Sequence, residues 1–271
     1  MPADFPYLHG FTQEEQARLS KQARFGEHTV YQNINFTQAR ELLEVGCGVG
    51  AQSEILLRRF PDMRLTGVDR SPKQLGAAKE RLSKLPFAEE RFELHQMDAT
   101  DLTFPANSFD GAFLCWILEH VPDPIRVLSE VRRVLRPGSL VYATEVMNSS
   151  FFLDPYSPNV WKYWMAFNDY QLETKGDPFV GAKLGNFLMQ LGYQDIQTEV
   201  KTWFLDNRAP QARKDCIEYW ADLLSSASEQ LLAAGKVSQD VVDGMKSEMQ
   251  KVSSDPNAVF FYSFVQASAR T

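Results

Sequence analysis

An α/β fold built on a mostly parallel sheet follows from three observations. Short apolar runs alternate with amphipathic segments of helical period between residues 41 and 145. The connections between them are only a few residues long. Glycines and acidic residues collect where the apolar runs end. Parallel neighbours need crossover connections, which helices supply, so the alternation reads as βαβ units with helices on both faces of the sheet. Ligands of such sheets bind beyond the carboxyl ends of the strands, near the point where strand order reverses.

Residues 12–25 read as a helix, with Thr12 and Glu15 spaced as a capping box and Gly26 just past the end. Residues 41–45 form a short apolar strand that runs into glycines. Residues 52–60 are helical, with Ile55, Leu56 and Phe60 on one face, and Pro61 and Asp62 break the pattern. Residues 64–68 form a second strand, ending at Asp69. Ser71 caps the next helix, with Pro72 at its first position, and that helix runs to about 84. Strands follow at 92–96, ending near Asp98, and at 109–115, a nearly all-apolar run suited to burial on both faces. A helix at 124–135 stops at Pro137 and Gly138, and a fifth strand spans 139–145. Beyond it, residues 148–185 are rich in aromatics and prolines. A helix at 183–191, a strand at 195–204, helices at 210–234 and 238–252, and a final strand at 258–267 complete the chain. The two late strands finish the sheet, and the helices between them form an insertion.

Composition narrows the function. A chain of 271 residues that is 44% hydrophobic can bury a substantial core and is not of the disordered class. No apolar run approaches the ~20 residues that span a bilayer, and residues 1–10 lack the pattern of a signal peptide. Cys47, Cys115 and Cys216 are scattered, which argues against a disulfide framework or a zinc site and suits the cytoplasm. With 28 basic against 35 acidic residues the net charge is −7, so no footprint for nucleic acid is visible, and no membrane partner is expected.

The chemistry concentrates at Glu44-Val45-Gly46-Cys47-Gly48-Val49-Gly50. Glycines at alternate positions after a buried strand permit a tight turn and let the backbone approach a ligand without a Cβ in the way. The following helix offers free N–H groups at its start. A nicotinamide-binding turn is expected to read Gly-x-Gly-x-x-Gly, and this one reads Gly-x-Gly-x-Gly. Asp69, at the end of the next strand, can accept both hydroxyls of a ribose. Asp98, after the third, is placed to accept from an adenine amino group.

LLEVGCGVG (42–50), TGVDRS (66–71), HQMDATDLTFPANSFDGAF (95–113) and HVPDPIRVLSEVRRVLRPGS (120–139) resemble, in order, the motifs of class I S-adenosylmethionine-dependent methyltransferases. The small-molecule, type 11 kind that includes quinone-biosynthesis enzymes is the most similar. The resemblance extends loosely through 176–196, and Gly138-Ser139 stands where family members often carry Gly-Gly. It implies a Rossmann-like, seven-stranded sheet whose seventh strand is antiparallel and inserted beside the fifth. It implies S-adenosylmethionine as cofactor. Gly46, Cys47 and Gly48 would pack on its methionine part, with Glu44 supporting the turn. Asp69 would hold the ribose, while Arg70, Met97, Asp98 and Ala99 surround the adenine. Cys115 and Trp116 would lie near the sulfonium, and Tyr31 or His28 would cap the cofactor. The expected layout is a single domain: a helical cap (1–39), a cofactor-binding core (40–147), a substrate and lid region holding the sixth strand (148–257), and the final strand (258–267).

Glu145, at the carboxyl end of the fifth strand, is a candidate base or substrate anchor. His120 is a candidate catalytic group or, alternatively, a residue that orients its loop. Eight aromatics between Phe151 and Tyr170 read singly as core, and as a set they suggest a pocket wall for a flat aromatic acceptor or an amine. No metal-ligand constellation is apparent. The expected activity is methyl transfer to a small aromatic or amine-containing metabolite, by a monomer or homodimer. The rival readings are a non-catalytic cofactor-binding regulatory subunit and a nicotinamide-dependent oxidoreductase.

Overall fold

The computed structural model describes residues 9, 10 and 12–271. Helix α1 (Gln13–Tyr31) comes first. The β1 (Glu41–Val45), α2 (Ala51–Arg59), β2 (Arg64–Asp69), α3 (Pro72–Leu82) and β3 (Phe92–Gln96) segments follow the expected alternation. Then come β4 (Phe109–Cys115), α4 (Pro124–Val134) and β5 (Leu135–Val146). The later elements are β6 (Phe152–Asp154), α5 (Pro158–Glu173), α6 (Leu184–Gln190), β7 (Gln194–Leu205), α7 (Pro210–Ser226), α8 (Ser228–Ala233), α9 (Gln239–Ser254) and β8 (Val259–Arg270).

The sheet runs β3-β2-β1-β4-β5-β8, with β7 along the far edge of β8. Strands β1 to β5 are mutually parallel, and β8 is antiparallel to both β5 and β7. The last strand is therefore inserted beside the fifth, as the resemblance implies. The sheet has eight strands rather than seven. The addition is β6, three residues that pair with Phe261, Phe260 and Val259 of β8 and so prolong the edge that β5 leaves at Phe264.

Alternation on the strands divides the core. Leu42 and Phe113 face a cluster that includes residues of α1, α2, α5, α7 and α9, while Leu43, Val45, Ala112 and Leu114 face one built with α4 and α6. Helices thus cover both faces. Order reverses between β2-β1 and β4-β5, which places the switch point beyond Val45 and Cys115. Among the described residues, no helix is long and apolar enough to cross a membrane.

Three local expectations changed. Helix α1 continues through Gly26 to Tyr31, because a Cβ at Gly26 would stand only 3.2 Å from the Trp116 ring and 3.7 Å from that of Trp203. A helical glycine costs about 1 kcal/mol relative to alanine, and here it brings the helix against two indoles. The α1 capping box is half made: Glu15 N–H donates to Thr12 Oγ1 at 3.2 Å, but the Glu15 carboxylate turns to Arg18. Residues 210–234 form two helices, broken at Ala227. At the break the Ser226 hydroxyl bonds locally to the Leu223 carbonyl, while that of Ser228 reaches the Tyr163 hydroxyl of α5.

Trp220 of α7 ties the insertion to the sheet, with its ring 4.7 Å from that of Tyr262 on β8, and further rings and one carboxylate tie the insertion together. Phe151 stacks on Trp220 at 5.0 Å and Trp164 on Phe167 at 5.4 Å. Helix α5 lacks a capping side chain of its own, and Glu248 of α9 accepts from Asn159 N–H and Val160 N–H at its start. A carboxylate is favourable at a helix N-terminus.

Candidate active site

A cavity of about 420 Å³ opens at the switch point and is bordered by β1, β2 and β4 below and by α1, α5 and α7 above. The glycine loop forms its floor. Gly46, Gly48 and Gly50 adopt φ values of 75°, 51° and 72°, conformations that other residues take only with strain. The Gly46 and Cys47 N–H groups both donate to the Val68 carbonyl, at 2.8 and 3.0 Å, and bind the turn to β2. The two outer glycines are needed for packing. A Cβ on Gly46 would meet Ile117 at 2.5 Å, and one on Gly50 would meet Ala78 at 3.1 Å. A Cβ on Gly48 would meet nothing within 4 Å, although Gly48 borders the cavity.

Asp69 holds the edge of this loop. Its two oxygens accept Gly48 N–H at 2.9 Å and Ser71 N–H at 2.8 Å. Burial raises its pKa, and those two donors work against the rise. Each oxygen keeps acceptor capacity for a ligand hydroxyl. Arg70, Met97, Asp98 and Ala99 line the same end of the cavity. Asp98 Oδ1 also accepts the Thr100 N–H and hydroxyl, which fixes the loop after β3. Glu44 lies beneath the floor and not on the cavity. Its carboxyl receives the Ser53 hydroxyl at 2.5 Å, and burial pushes its pKa up to about 8.

At the end of β4, Cys115 and Trp116 both border the cavity. Trp116 has φ of 55°, unusual for a bulky residue. Its N–H donates to the Thr144 carbonyl, and its ring lies 6.5 Å from that of Trp203 and 6.0 Å from that of Phe264. Glu145 fixes the backbone that follows. One oxygen accepts both Ile117 N–H at 3.0 Å and Leu118 N–H at 2.8 Å, and the side chain is fully buried. The structure thus places Glu145 behind the loop rather than among the cavity-lining residues, as an anchor of Ile117 and Leu118. Burial raises its pKa well above the usual carboxylate range, with the neighbouring Glu119 adding to the rise.

His120 does border the cavity, and burial lowers its pKa to about 4. Tyr31 is fully buried and one layer back. Its hydroxyl donates to Gln52 Oε1 at 2.7 Å, and Gln52 is the cavity residue. His28 lies exposed on α1, away from the cavity. Of the aromatic set expected as a wall, Trp164 and Phe167 reach the cavity, Phe151 and Tyr163 are core, and Phe152 and Tyr156 are exposed.

The roof was not legible as such. His9, Arg18, Leu19 and Gln22 come from the N-terminal segment and α1. Tyr219, Trp220 and Leu223 come from α7, Trp203 from β7 and Tyr262 from β8. The available signal was spacing: residues 18, 19 and 22, and residues 219, 220 and 223, recur at helical intervals. His9 is buried, with Nδ1 2.7 Å from Ser226 Oγ and its ring 6.2 Å from that of His120. Arg18 forms a buried two-point pair with Glu15, at 2.6 and 2.7 Å.

A glycine-floored cleft at the switch point, with an acidic residue after β2 and another after β3, defines an α/β protein with its ligand cleft beyond the carboxyl ends of the strands. Residues 43–143 match the methyltransferase domain family. A demethylmenaquinone methyltransferase of Desulfitobacterium hafniense (strain Y51) is 31% identical over 139 residues, 51% of this chain and 52% of that protein. The O-methyltransferase cnsE of Penicillium expansum is 32% identical over 161 residues, 59% of this chain and 54% of that one. This chain spans about half the length of these curated relatives. Among solved structures, the phosphoethanolamine N-methyltransferase 2 of Haemonchus contortus, complexed with S-adenosylhomocysteine, superposes with a TM-score of 0.54 at 22% identity, covering 94% of this chain and 52% of that one. The [4+2]-cyclase SpnF superposes with a TM-score of 0.56 at 18% identity, covering 92% and 80%. These likenesses speak to the fold alone, since a cyclase shares it.

Residues 43–143 therefore carry a methyltransferase domain of the type 11 family. S-adenosylmethionine is the cofactor of that family. The site fits it. The open space above Gly48, the two-oxygen Asp69 beside it and the end at Cys115 and Trp116 match a ligand with an amino-acid part, a ribose and a sulfonium.

Proposed function

We propose that this protein transfers a methyl group from S-adenosylmethionine to a small metabolite bound under α1, α5 and α7. The observation that carries this reading is one continuous cavity, glycine-floored at one end and walled by aromatic rings at the other. Gly46, Cys47 and Gly48 hold the methionine part, Asp69 binds the ribose hydroxyls, and Arg70, Met97, Asp98 and Ala99 enclose the adenine. When bound, the cofactor supplies an electrophilic methyl on a sulfonium. Trp116, whose N–H donates to the Thr144 carbonyl and whose next two residues are held by Glu145, closes the cofactor end and limits where an acceptor can stand. Holding the acceptor in line is the chief task, and orientation of this kind can account for ~7–11 kcal/mol of barrier. The roof of His9, Arg18, Leu19 and Gln22 excludes water.

Of the expected cap at 1–39, residues 1–8 and 11 lie outside the described residues; the rest acts as the cap, 40–147 as the cofactor core and 148–257 as the acceptor region, with the last strand completing one domain. The three free cysteines support a reducing cytoplasmic setting. The acceptor is a small molecule, and the active unit is a monomer or homodimer. The test is formation of S-adenosylhomocysteine when the protein is incubated with methyl-labelled cofactor and a panel of amines, phenols and quinols. Label transfer to one class supports the reading, and no product with any class, from protein that binds cofactor, refutes it.

A further inference from the structure

The geometry points to an amine as the methyl acceptor, held in the aromatic end of the cavity with Glu119 as its countercharge. This rests on the methyltransferase reading and narrows it to one substrate class. Trp164, Phe167, Trp203, Tyr219, Trp220 and Tyr262 all border that end. They come from four elements, so the rings enclose the space from several sides. The faces of aromatic rings carry negative potential and attract cations, and a desolvated enclosure strengthens the attraction.

The charges around the chamber favour the same sign. Among the described residues, Glu119 is the carboxyl group that borders the aromatic end, since Asp69 and Asp98 lie at the nucleoside end. It is 8% exposed, and Gln171 Nε2 donates to its Oε2 at 3.0 Å. Glu145 stands close enough behind it for Glu119 to raise the pKa of the Glu145 carboxyl. Two cations border the cavity: Arg18 is held by Glu15 in a two-point pair and also donates to the Tyr219 hydroxyl at 3.3 Å, while Arg70, at the nucleoside end, bears on His120, whose Nε2 lies 3.5 Å from Glu119 Oε1. The two imidazoles bring no positive charge, because burial lowers the pKa of both His9 and His120. A phenolate at this end would therefore face ring faces and a buried carboxyl, with Arg18 already paired to Glu15. An ammonium ion would find ring faces and one carboxylate.

Only a neutral amine has the lone pair that methylation requires. Burial pushes the Glu119 pKa up to about 7, with the Gln171 hydrogen bond and Arg18 opposing the rise. The carboxylate can therefore take the proton: the N–H bond of the entering ammonium breaks, its electron pair stays on nitrogen, and the proton forms an O–H bond on Glu119. Charge is conserved, and the nucleophile is left inside the ring enclosure.

The test separates charge from shape. Tryptophan fluorescence of the full chain is followed on titration with choline and with 3,3-dimethylbutan-1-ol, its uncharged carbon analogue, and with phenol at a pH where part is phenolate. Choline should bind at least about tenfold tighter than the neutral analogue, as expected for a cation in a multi-ring site. Glu119→Gln, which keeps an acceptor for Gln171, should weaken choline severalfold and leave the neutral analogue unchanged. Equal or tighter binding of the analogue or of phenol overturns the proposal, as does an absence of saturable choline binding. So does a Glu119→Gln variant that weakens both probes alike. Titration with S-adenosylhomocysteine in parallel keeps the two readings distinct. Loss of that binding counts against the methyltransferase reading, whereas the choline comparison in cofactor-free protein judges the acceptor class alone.

Discussion

Gly46 and Gly48 share a positive φ but differ in what a methyl group would meet, and the difference separates folding from cofactor binding. Alanine at either position pays for a left-handed conformation, about 1–2 kcal/mol. At Gly46 the new Cβ also stands 2.5 Å from Ile117 Cδ1 and 2.9 Å from its Cβ. Overpacking of this kind adds about 1–3 kcal/mol, so Gly46→Ala should lose about 2–5 kcal/mol. At Gly48 the new methyl projects into open space on the cavity side. Gly48→Ala should lose only the backbone cost, yet it fills volume that the ligand needs. A tenfold loss of affinity corresponds to about 1.4 kcal/mol, and at least that loss is expected. Urea unfolding gives the stabilities, and calorimetric titration with S-adenosylhomocysteine gives the affinities. Gly48→Ala protein that binds like the wild type would refute the reasoning. So would a Gly46→Ala variant no less stable than Gly48→Ala.

Glu145→Ala should cost about 1–3 kcal/mol for each buried N–H left without its acceptor at Ile117 and Leu118. Glu145→Gln keeps the acceptor and should keep turnover within tenfold, whereas a much larger loss in kcat with unchanged Tm would make Glu145 a base. Burial raises the Glu44 pKa to about 8, against an ordinary value near 4.3. Its stabilising contribution is therefore complete below the ordinary value and lost as pH rises through the folded one. The urea midpoint should fall between about pH 7 and 8.5 by the equivalent of about 1 kcal/mol, and Glu44→Gln should flatten that fall. Arg18→Ala strands the buried Glu15 carboxylate and should cost about 3–5 kcal/mol, with most of the loss recovered when Glu15 is also replaced by leucine.

The cofactor half was largely legible because its determinants are local. A glycine run after an apolar strand, an acidic residue at the end of the next strand and Ser71 as a cap are read within a few residues, and each occupies the expected place. The acceptor half was not, because it is assembled at long range. His9 and Ser226 are 217 residues apart, and Arg18 meets Tyr219 across 201. No periodicity within α1 announces that its Arg18 face meets α7, and Gly26 looked like a helix end because only the distant indoles explain it. Glu145 shows the same limit. The end of β5 was recognisable, but its carboxyl serves the backbone after β4, a partner that sequence spacing does not name. The aromatic run after residue 150 supplies two of the six rings that border the proposed acceptor chamber, while the other four come from β7, α7 and β8.

The most direct test of the account is calorimetric titration of S-adenosylhomocysteine into the wild-type chain and into Asp69→Ala. Asp69 is the one side chain that braces the glycine loop and faces the proposed ribose position together. The account predicts saturable one-to-one binding by the wild type and at least a tenfold loss in the variant, with far-ultraviolet dichroism showing that both are folded. Absence of binding by folded wild-type protein, or equal affinities in the two, would contradict it.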